Sequence, residues 1–214
     1  VLDEMQKEAV VQAAGHGLMV LTGGPGTGKT TTINTMISYF ESEGLSVMLG
    51  APTGRAAKVL ARYCGEQALT IHKRIYRQRT NADYESKFSL DFNREQGAVF
   101  IVDEASMLSD STGDGALFGS GSLLEDLVSY VRSGRGCRLI LVGDSAQLPP
   151  VGCDFSPALD PATVSRYGEV VYGLMDEVVR QQMQSGILFN ATLVRCMLEN
   201  RIYEIPKFEM DYPD

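Results

Sequence analysis

The chain is predicted to be an α/β protein with a mostly parallel sheet and helices on both faces. Three observations lead there. Apolar, β-branched runs bounded by Gly, Pro or Asp recur at Leu18–Thr22, Leu45–Ala51, Ala98–Val102 and Arg138–Val142; helical patterns lie between them; and polar, chemically capable residues stand where the runs end. Short runs apolar at nearly every position suit strands buried on both faces. Strands alternating with helices in this way build a doubly wound sheet.

The elements follow in chain order. After the first run, Ile33, Met36, Ile37 and Phe40 fall at i, i+3, i+4 and i+7, one apolar stripe to lay against a sheet, and Gly44 stands where a helix-terminating glycine belongs. Gly54–Cys64 reads as a second helix, Leu123–Arg132 as a third and Ile187–Leu198 as a fourth. Two segments break the alternation and are expected at the surface. Arg77–Gly97 is polar, and Ser109–Ser122 (SDSTGDGALFGSGS) is rich in Ser, Gly and Asp. The second has few apolar anchors to offset the entropy of ordering it, so mobility is expected there.

At 214 residues, 44% of them apolar, the chain can bury a sizeable core, and about 150 residues per domain favours one domain with insertions. No run approaches the ~20 apolar residues of a membrane helix. Cys64, Cys137, Cys153 and Cys196 form no Cys-x-x-Cys pair and have no His at metal-ligand spacing, so neither a zinc site nor a disulfide framework is indicated and a reducing cytoplasm is the expected location. The opening VLDEMQKEAV lacks the layout of a signal peptide, and a start at Val1 rather than Met reads as a piece of a longer protein. The net charge of −8 opposes nonspecific attraction to nucleic acid. Its distribution does not: Arg55, Lys58, Arg62, Lys73, Arg74, Arg77 and Arg79 face one acid, Glu66, between positions 55 and 79. By charge alone this window reads equally as a phosphate-backbone stripe or as a solvated helix face.

GGPGTGKT at Gly23–Thr30 satisfies G-x-x-x-x-G-K-[ST], directly between a predicted strand and an amphipathic helix. Glycines let such a loop wrap phosphates with its backbone N–H groups at the positive end of the helix. Gly24, Pro25, Gly26, Thr27, Gly28, Lys29, Thr30 and Thr31 are therefore the expected nucleotide-binding set, with Lys29 on the β- and γ-phosphates of ATP and the Thr30 hydroxyl on magnesium. VFIVDEAS at Val99–Ser106 brings two carboxylates to the end of a buried strand, where ligands of open parallel sheets bind. Asp103 is expected to hold the magnesium, and Glu104 to orient and polarise the attacking water. Neighbours on an extended strand point to opposite sides, so the pair can share these roles only if the chain turns as it leaves the sheet. LILVGDSAQLPPVG at Leu139–Gly152 ends the next run in an amide; Gln147 reads either as a γ-phosphate sensor or as a turn residue held by Pro149 and Pro150.

Taken in order, LDEMQKEAV (Leu2–Val10), GGPGTGKT, APTGRAAKVL (Ala51–Leu60), LTIHKRI (Leu69–Ile75), FIVDEASML (Phe100–Leu108) and GDSAQLPPVG (Gly143–Gly152) resemble the RecD-like branch of superfamily 1 DNA helicases, which includes the TraA, Dda and Pif helicases. The resemblance spans nearly the whole chain. It implies a RecA-like P-loop ATPase domain over residues 1–181, the first motor domain of a helicase, followed by a C-terminal helix and tail over 182–214. It also implies that Gln6 bonds the adenine edge. Pro52, Thr53, Arg55, Lys58, Thr70 and His72 would line a single-stranded DNA channel, with His72 open to a second reading as a packed helix-start residue. Arg180, in LMDEVVRQ (Leu174–Gln181), is similar to the family arginine that approaches the γ-phosphate, and reads otherwise as an exposed salt-bridging residue.

The partners implied are single-stranded DNA, with 5′→3′ translocation, and a second RecA-like domain in the same full-length chain, with subunits of a nuclease or helicase complex left open. Two departures limit this. Nothing after Gln181 resembles the second motor domain, and only Lys73–Gly97 is available for the pin-bearing insertion of the family, as a short β-hairpin or an irregular arm. The rival readings are a P-loop kinase or AAA-type ATPase, which needs neither APTGRAAK nor GDSAQLPP, and a module that binds ATP and DNA without productive hydrolysis.

Overall fold

Three adjacent strands of the sheet bury both of their faces, and the two faces belong to different cores. A computed structural model describes residues 4–80, 86–111, 117–175 and 186–199, with 202, 204, 206 and 208. In chain order the elements are α1 (Glu4–Gly15), β1 (Leu18–Gly23), α2 (Lys29–Ser42), β2 (Val47–Ala51), α3 (Gly54–Cys64), β3 (Ala68–Thr70), α4 (Ile71–Ile75), β4 (Tyr76–Thr80), β5 (Ser86–Leu90), β6 (Val99–Val102), α5 (Leu123–Ser133), β7 (Arg138–Gly143), α6 (Pro161–Val164), β8 (Val171–Met175) and α7 (Gly186–Glu199). One sheet has the order β3-β2-β6-β7-β1-β8, and all of its pairings are parallel. Its C-terminal strand ends therefore share one rim. A separate antiparallel pair, β4 and β5, lies between α4 and β6 in the chain.

Side chains alternate across the sheet with the period of two that a strand imposes. Met19 and Leu21, Val99 and Ile101, and Ile140 and Val142 face α1, α2 and α3, where Ala13, Ile33, Met36, Phe40 and Leu60 complete the first core. Leu18 and Val20, Phe100 and Val102, and Leu139 and Leu141 face the other way, onto α4, α5 and α6. The stripe of Ile33, Met36, Ile37 and Phe40 is buried along α2 as its spacing predicts, and Gly44 follows the helix with φ 75°, a left-handed turn suited to glycine.

The sheet exceeds the four predicted strands. β3 and β8 are its two edges, each paired on one side only. The two segments expected at the surface are partly anchored in the core. Asn93 is 1% exposed and donates to the carbonyl of Val131, while Phe118 stacks on Phe88 with ring centroids 4.5 Å apart. Ser122, 1% exposed, caps α5 by accepting from the Glu125 N–H. A few aromatic and capping residues thus anchor segments whose average composition is polar. Residues 112–116, at the centre of the predicted mobile loop, lie outside the described residues.

Candidate nucleotide and DNA site

The phosphate loop begins where β1 leaves the sheet. A Cβ on Gly23 would stand 2.6 Å from the Thr27 hydroxyl and 2.9 Å from the Met175 carbonyl, so only glycine lets the loop close there. Gly28 caps α2 at φ 85° without any side-chain cap. The first N–H groups of α2 are thus not served by a capping side chain, the arrangement that favours an anion. Thr27 Oγ1 donates to the Gly24 carbonyl at 2.9 Å and braces the loop. Lys29 Nζ reaches back over it to the carbonyls of Gly23 and Gly24, at 2.7 and 2.8 Å. Thr30 and Thr31 are exposed in the first turn of α2, and Pro25 is exposed at the crest of the loop.

The carboxylates arrive two strands away. Asp103 extends the ladder of β6 by one bond, its N–H donating to the Gly50 carbonyl at 3.0 Å. Glu104 then turns sharply: its φ of 54° and ψ of 37° place it in the left-handed region, where it opens a 3₁₀ turn over Ala105–Met107. Among the described residues it is the one non-glycine residue with positive φ. This turn is what lets two consecutive carboxylates leave the strict alternation of a strand. Such a conformation costs on the order of 1 kcal/mol or more and tends to collect at functional sites.

Electrostatics ties the two groups together. Burial pushes the Lys29 ammonium below its ordinary value, against the opposing pull of Asp144, Asp103 and Glu104. Burial raises the Asp103 carboxyl, while the Glu104 N–H and Lys29 act to lower it. Glu104 is raised first by burial and then by the neighbouring charge of Asp103. Between β1 and β6 in the sheet lies β7, so its exit completes the row; three adjacent strands span about 10 Å. Gln147 follows β7, and its Oε1 accepts from Ser106 Oγ at 3.3 Å.

Of the other predicted residues, Gln6 is 4% exposed on α1, which packs on α2 and β8. Pro52 and Thr53 lie at the exit of β2 and Thr70 at the exit of β3, on the same rim as the phosphate loop but toward the opposite edge of the sheet. Both threonines cap helices: Thr53 Oγ1 accepts from the Ala56 N–H, and Thr70 Oγ1 from the Lys73 N–H, each at 3.2 Å. Arg55 and Lys58 are exposed on α3. His72 is half-buried, 5.1 Å from the ring of Phe118 in an edge-on contact and 5.7 Å from Tyr76, and burial lowers its pKa. Arg180 lies outside the described residues. A groove of about 480 Å³ between α1 and β8, lined in part by Glu4, Glu8, Gln12 and Tyr172, contains none of these residues.

Sequence reasoning missed three residues at this rim. Ser106 and Asp144 stand inside motifs that are conspicuous for their neighbours, and nothing in a helical pattern singles out Arg195 of α7. Asp144, 5% exposed, accepts from the Ala146 N–H at 2.9 Å and from Arg195 Nη1 at 2.6 Å.

Comparison with known proteins identifies the family and the fold. Residues 6–153 match a family model described as an AAA domain. The chain is 39% identical over 150 residues to the ATP-dependent RecD2 DNA helicase of Deinococcus radiodurans, a match covering 70% of this chain and 18% of that protein. It is 31% identical over 216 residues to the RecBCD enzyme subunit RecD of Mycobacterium tuberculosis, covering 83% of this chain and 34% of that one. In structure it is similar to Bacteroides Pif1 bound to single-stranded DNA, with a TM-score of 0.60 and 20% identity over 95% of this chain and 47% of Pif1, a likeness of fold. The family description is general, and the named relatives narrow it to helicases.

Proposed function

This chain belongs to the AAA domain family, as a RecD-like superfamily 1 first motor domain of RecA-like fold, and we propose that it binds ATP with magnesium, hydrolyses it, and couples hydrolysis to movement along single-stranded DNA. The observation that carries the reading is one juxtaposition: Lys29, the Asp103–Glu104 pair and Gln147 stand at the exits of three adjacent parallel strands, with Lys29 under the field of both carboxylates.

Each residue is given a task, which for the described residues its position supports and for Arg180 the family resemblance alone supplies. The loop from Gly24 to Thr31 wraps the phosphates, and Lys29 exchanges the two loop carbonyls for β- and γ-phosphate oxygens. Thr30 and Asp103 offer a hydroxyl and a carboxylate, the hard oxygen donors that magnesium takes together with phosphate and water. Magnesium, when bound, supplies neutralisation of the charge that builds on the phosphoryl oxygens. Glu104, turned out of the strand, orients and polarises the attacking water. Gln147, held by Ser106, senses the terminal phosphate; Arg180 approaches it as well, and Gln6 reads the adenine edge. Pro52, Thr53, Arg55, Lys58, Thr70 and His72 form the DNA edge of the same rim. Their exposed cations supply sequence-independent attraction to phosphate, and His72 takes part through the outer part of its half-buried ring.

The relatives are longer than this chain, which spans 18% of one and 34% of the other. Unwinding is assigned to the motor as a whole: a second RecA-like domain closes on bound ATP and is released on hydrolysis, moving the grip on DNA in the 5′→3′ direction. The test is steady-state ATPase of the full chain with and without an oligothymidylate strand. Stimulation by the strand is expected. Lys29→Ala is expected to abolish hydrolysis and weaken nucleotide binding, and Glu104→Gln to keep binding while losing about 10²-fold or more in turnover. ATPase indifferent to DNA would mark an ATPase of another class. Binding of both ligands without turnover would mark a binding module.

A further inference from the structure

Arg195 sits in α7, remote in sequence from the phosphate loop, yet its guanidinium stands on that loop. Its Nη1 donates to Asp144 Oδ1 at 2.6 Å, and the two side chains are 13% and 6% exposed. A Cβ built on Gly24 would lie 2.7 Å from the same Nη1 and 3.3 Å from Cδ and Cζ of Arg195. Lys29 Nζ bonds the carbonyl of that same Gly24 at 2.8 Å. Two cations therefore meet at one residue of the loop, close enough that Arg195 is among the charges acting on Lys29. Like charges so near one another are unfavourable unless anions compensate them. Here Asp144 does so directly, and it is itself fixed by the Ala146 N–H.

The end of the loop at Gly23 and Gly24 is where the lysine ammonium lies, and this lysine serves the β- and γ-phosphates in P-loop proteins. A cation over Gly24 thus faces the terminal phosphate rather than the base. We propose that Arg195 is a further residue of the triphosphate site, docked by Asp144 over Gly24 so that its guanidinium contacts the terminal phosphate of a bound nucleoside triphosphate. The proposal rests on the ATP reading above. A guanidinium carries five N–H donors in a planar fork, enough to serve a carboxylate and phosphate oxygens together, which an ammonium cannot do with the same geometry. Asp144 is the positioning residue. Gly24 is then constrained by space, because any side chain there would take the place of the guanidinium. The contact also ties α7 to the presence of a third phosphate.

The experiment measures binding of a nonhydrolysable ATP analogue and of ADP, each with magnesium, to the full chain and its variants, with thermal unfolding alongside. Arg195→Gln is expected to weaken the analogue tenfold or more and ADP less than twofold, and Arg195→Lys to recover only part of the loss. Gly24→Ala, which pushes the guanidinium aside, is expected to lose the same selectivity. Arg195→Gln leaves Asp144 without that partner, so the pair Arg195→Gln with Asp144→Asn separates contact from positioning. It should remain selectively weak for the analogue. Restored selectivity in that double variant, equal weakening of both nucleotides, or tighter binding on loss of Arg195 would each overturn the proposal. A parent that binds neither nucleotide is a different result, because it removes the ATP reading itself.

Discussion

Ser106 Oγ donates to Gln147 Oε1 at 3.3 Å, joining the turn that follows the two carboxylates to the loop that follows β7. Ser106 is fully buried, whereas Gln147 is exposed. With its oxygen engaged by a fixed hydroxyl, the amide has its NH₂ as the group to donate toward a phosphate.

Ser106→Ala is therefore expected to lower ATPase turnover about 2- to 10-fold, the worth of one neutral hydrogen bond, with little change in nucleotide affinity. Gln147→Ala should cost more, and the double variant no more than Gln147→Ala alone. Independent, multiplying losses in steady-state kinetics would show that the serine does not act through the glutamine.

In the proposed mechanism the carboxylates set the acid limb of the pH profile. Burial raises both Asp103 and Glu104, and in its proposed role Glu104 must be ionised to polarise water. Activity should fall as pH drops through a midpoint above the 4.5 of an ordinary glutamate. Burial lowers Lys29, so nucleotide binding should weaken as pH rises through a midpoint below the ordinary 10.5. A kcat/KM profile with its acid limb at or below 4.5 would remove these carboxylates from control of the reaction.

The proposed DNA edge is tested by salt. Cations that meet backbone phosphates release counterions, so log affinity for a single strand should fall against log salt by roughly 0.7 per phosphate neutralised. Arg55→Ala with Lys58→Ala should flatten that slope by roughly 0.7 for each phosphate left without its cation. The control is Arg94→Ala with Arg135→Ala: both residues are exposed, and they precede β6 and β7 at the opposite rim of the sheet. A parental slope in the Arg55/Lys58 variant, with a reduced one in the control, would put the DNA on the other side.

Stability of the hairpin side rests on a buried pair. Tyr76 Oη donates to Asp126 Oδ2 at 2.6 Å, and the same oxygen accepts from the Ser120 N–H at 3.0 Å. Burial and then the bond to Asp126 raise the tyrosine pKa far above its ordinary range, so the phenol keeps its proton at any working pH. Tyr76→Phe should cost about 1–3 kcal/mol, since a buried carboxylate loses a hydrogen-bond donor. Urea unfolding would show it, and a midpoint unchanged from the parent would mean that water replaces the phenol.

Much of the core and the site was legible because both are local in sequence. The four apolar runs correspond to β1, β2, β6 and β7, and the helix read over Gly54–Cys64 has those bounds in α3. Their residues carry periodicity within a few positions of one another, which is the information that a single segment holds. The phosphate loop and the carboxylate pair were legible for the same reason, as motifs placed after strands. β3 and β8 were not: Ala68–Thr70 is three residues long, and Val171–Met175 carries a glycine at its centre. Each becomes an edge strand through its partner, β2 or β1. Phe118, inside a stretch of Ser, Gly and Asp, was likewise hidden until Phe88, Tyr76 and His72 stood around it.

By itself the amino-acid order determined the α/β class, the phosphate loop at Gly23–Thr30 and the two carboxylates after β6. Only the tertiary structure decided the strand order β3-β2-β6-β7-β1-β8, which sets the exits of β1, β7 and β6 side by side. It also decided that Glu104 turns left-handed, that Ser106 holds Gln147, and that Arg195 is docked on Asp144 over Gly24. The physical reason is one of range. Propensity and periodicity act between residues a few positions apart, whereas these contacts join segments far apart in the chain that meet only when the sheet closes its order and burial selects which polar groups must pair.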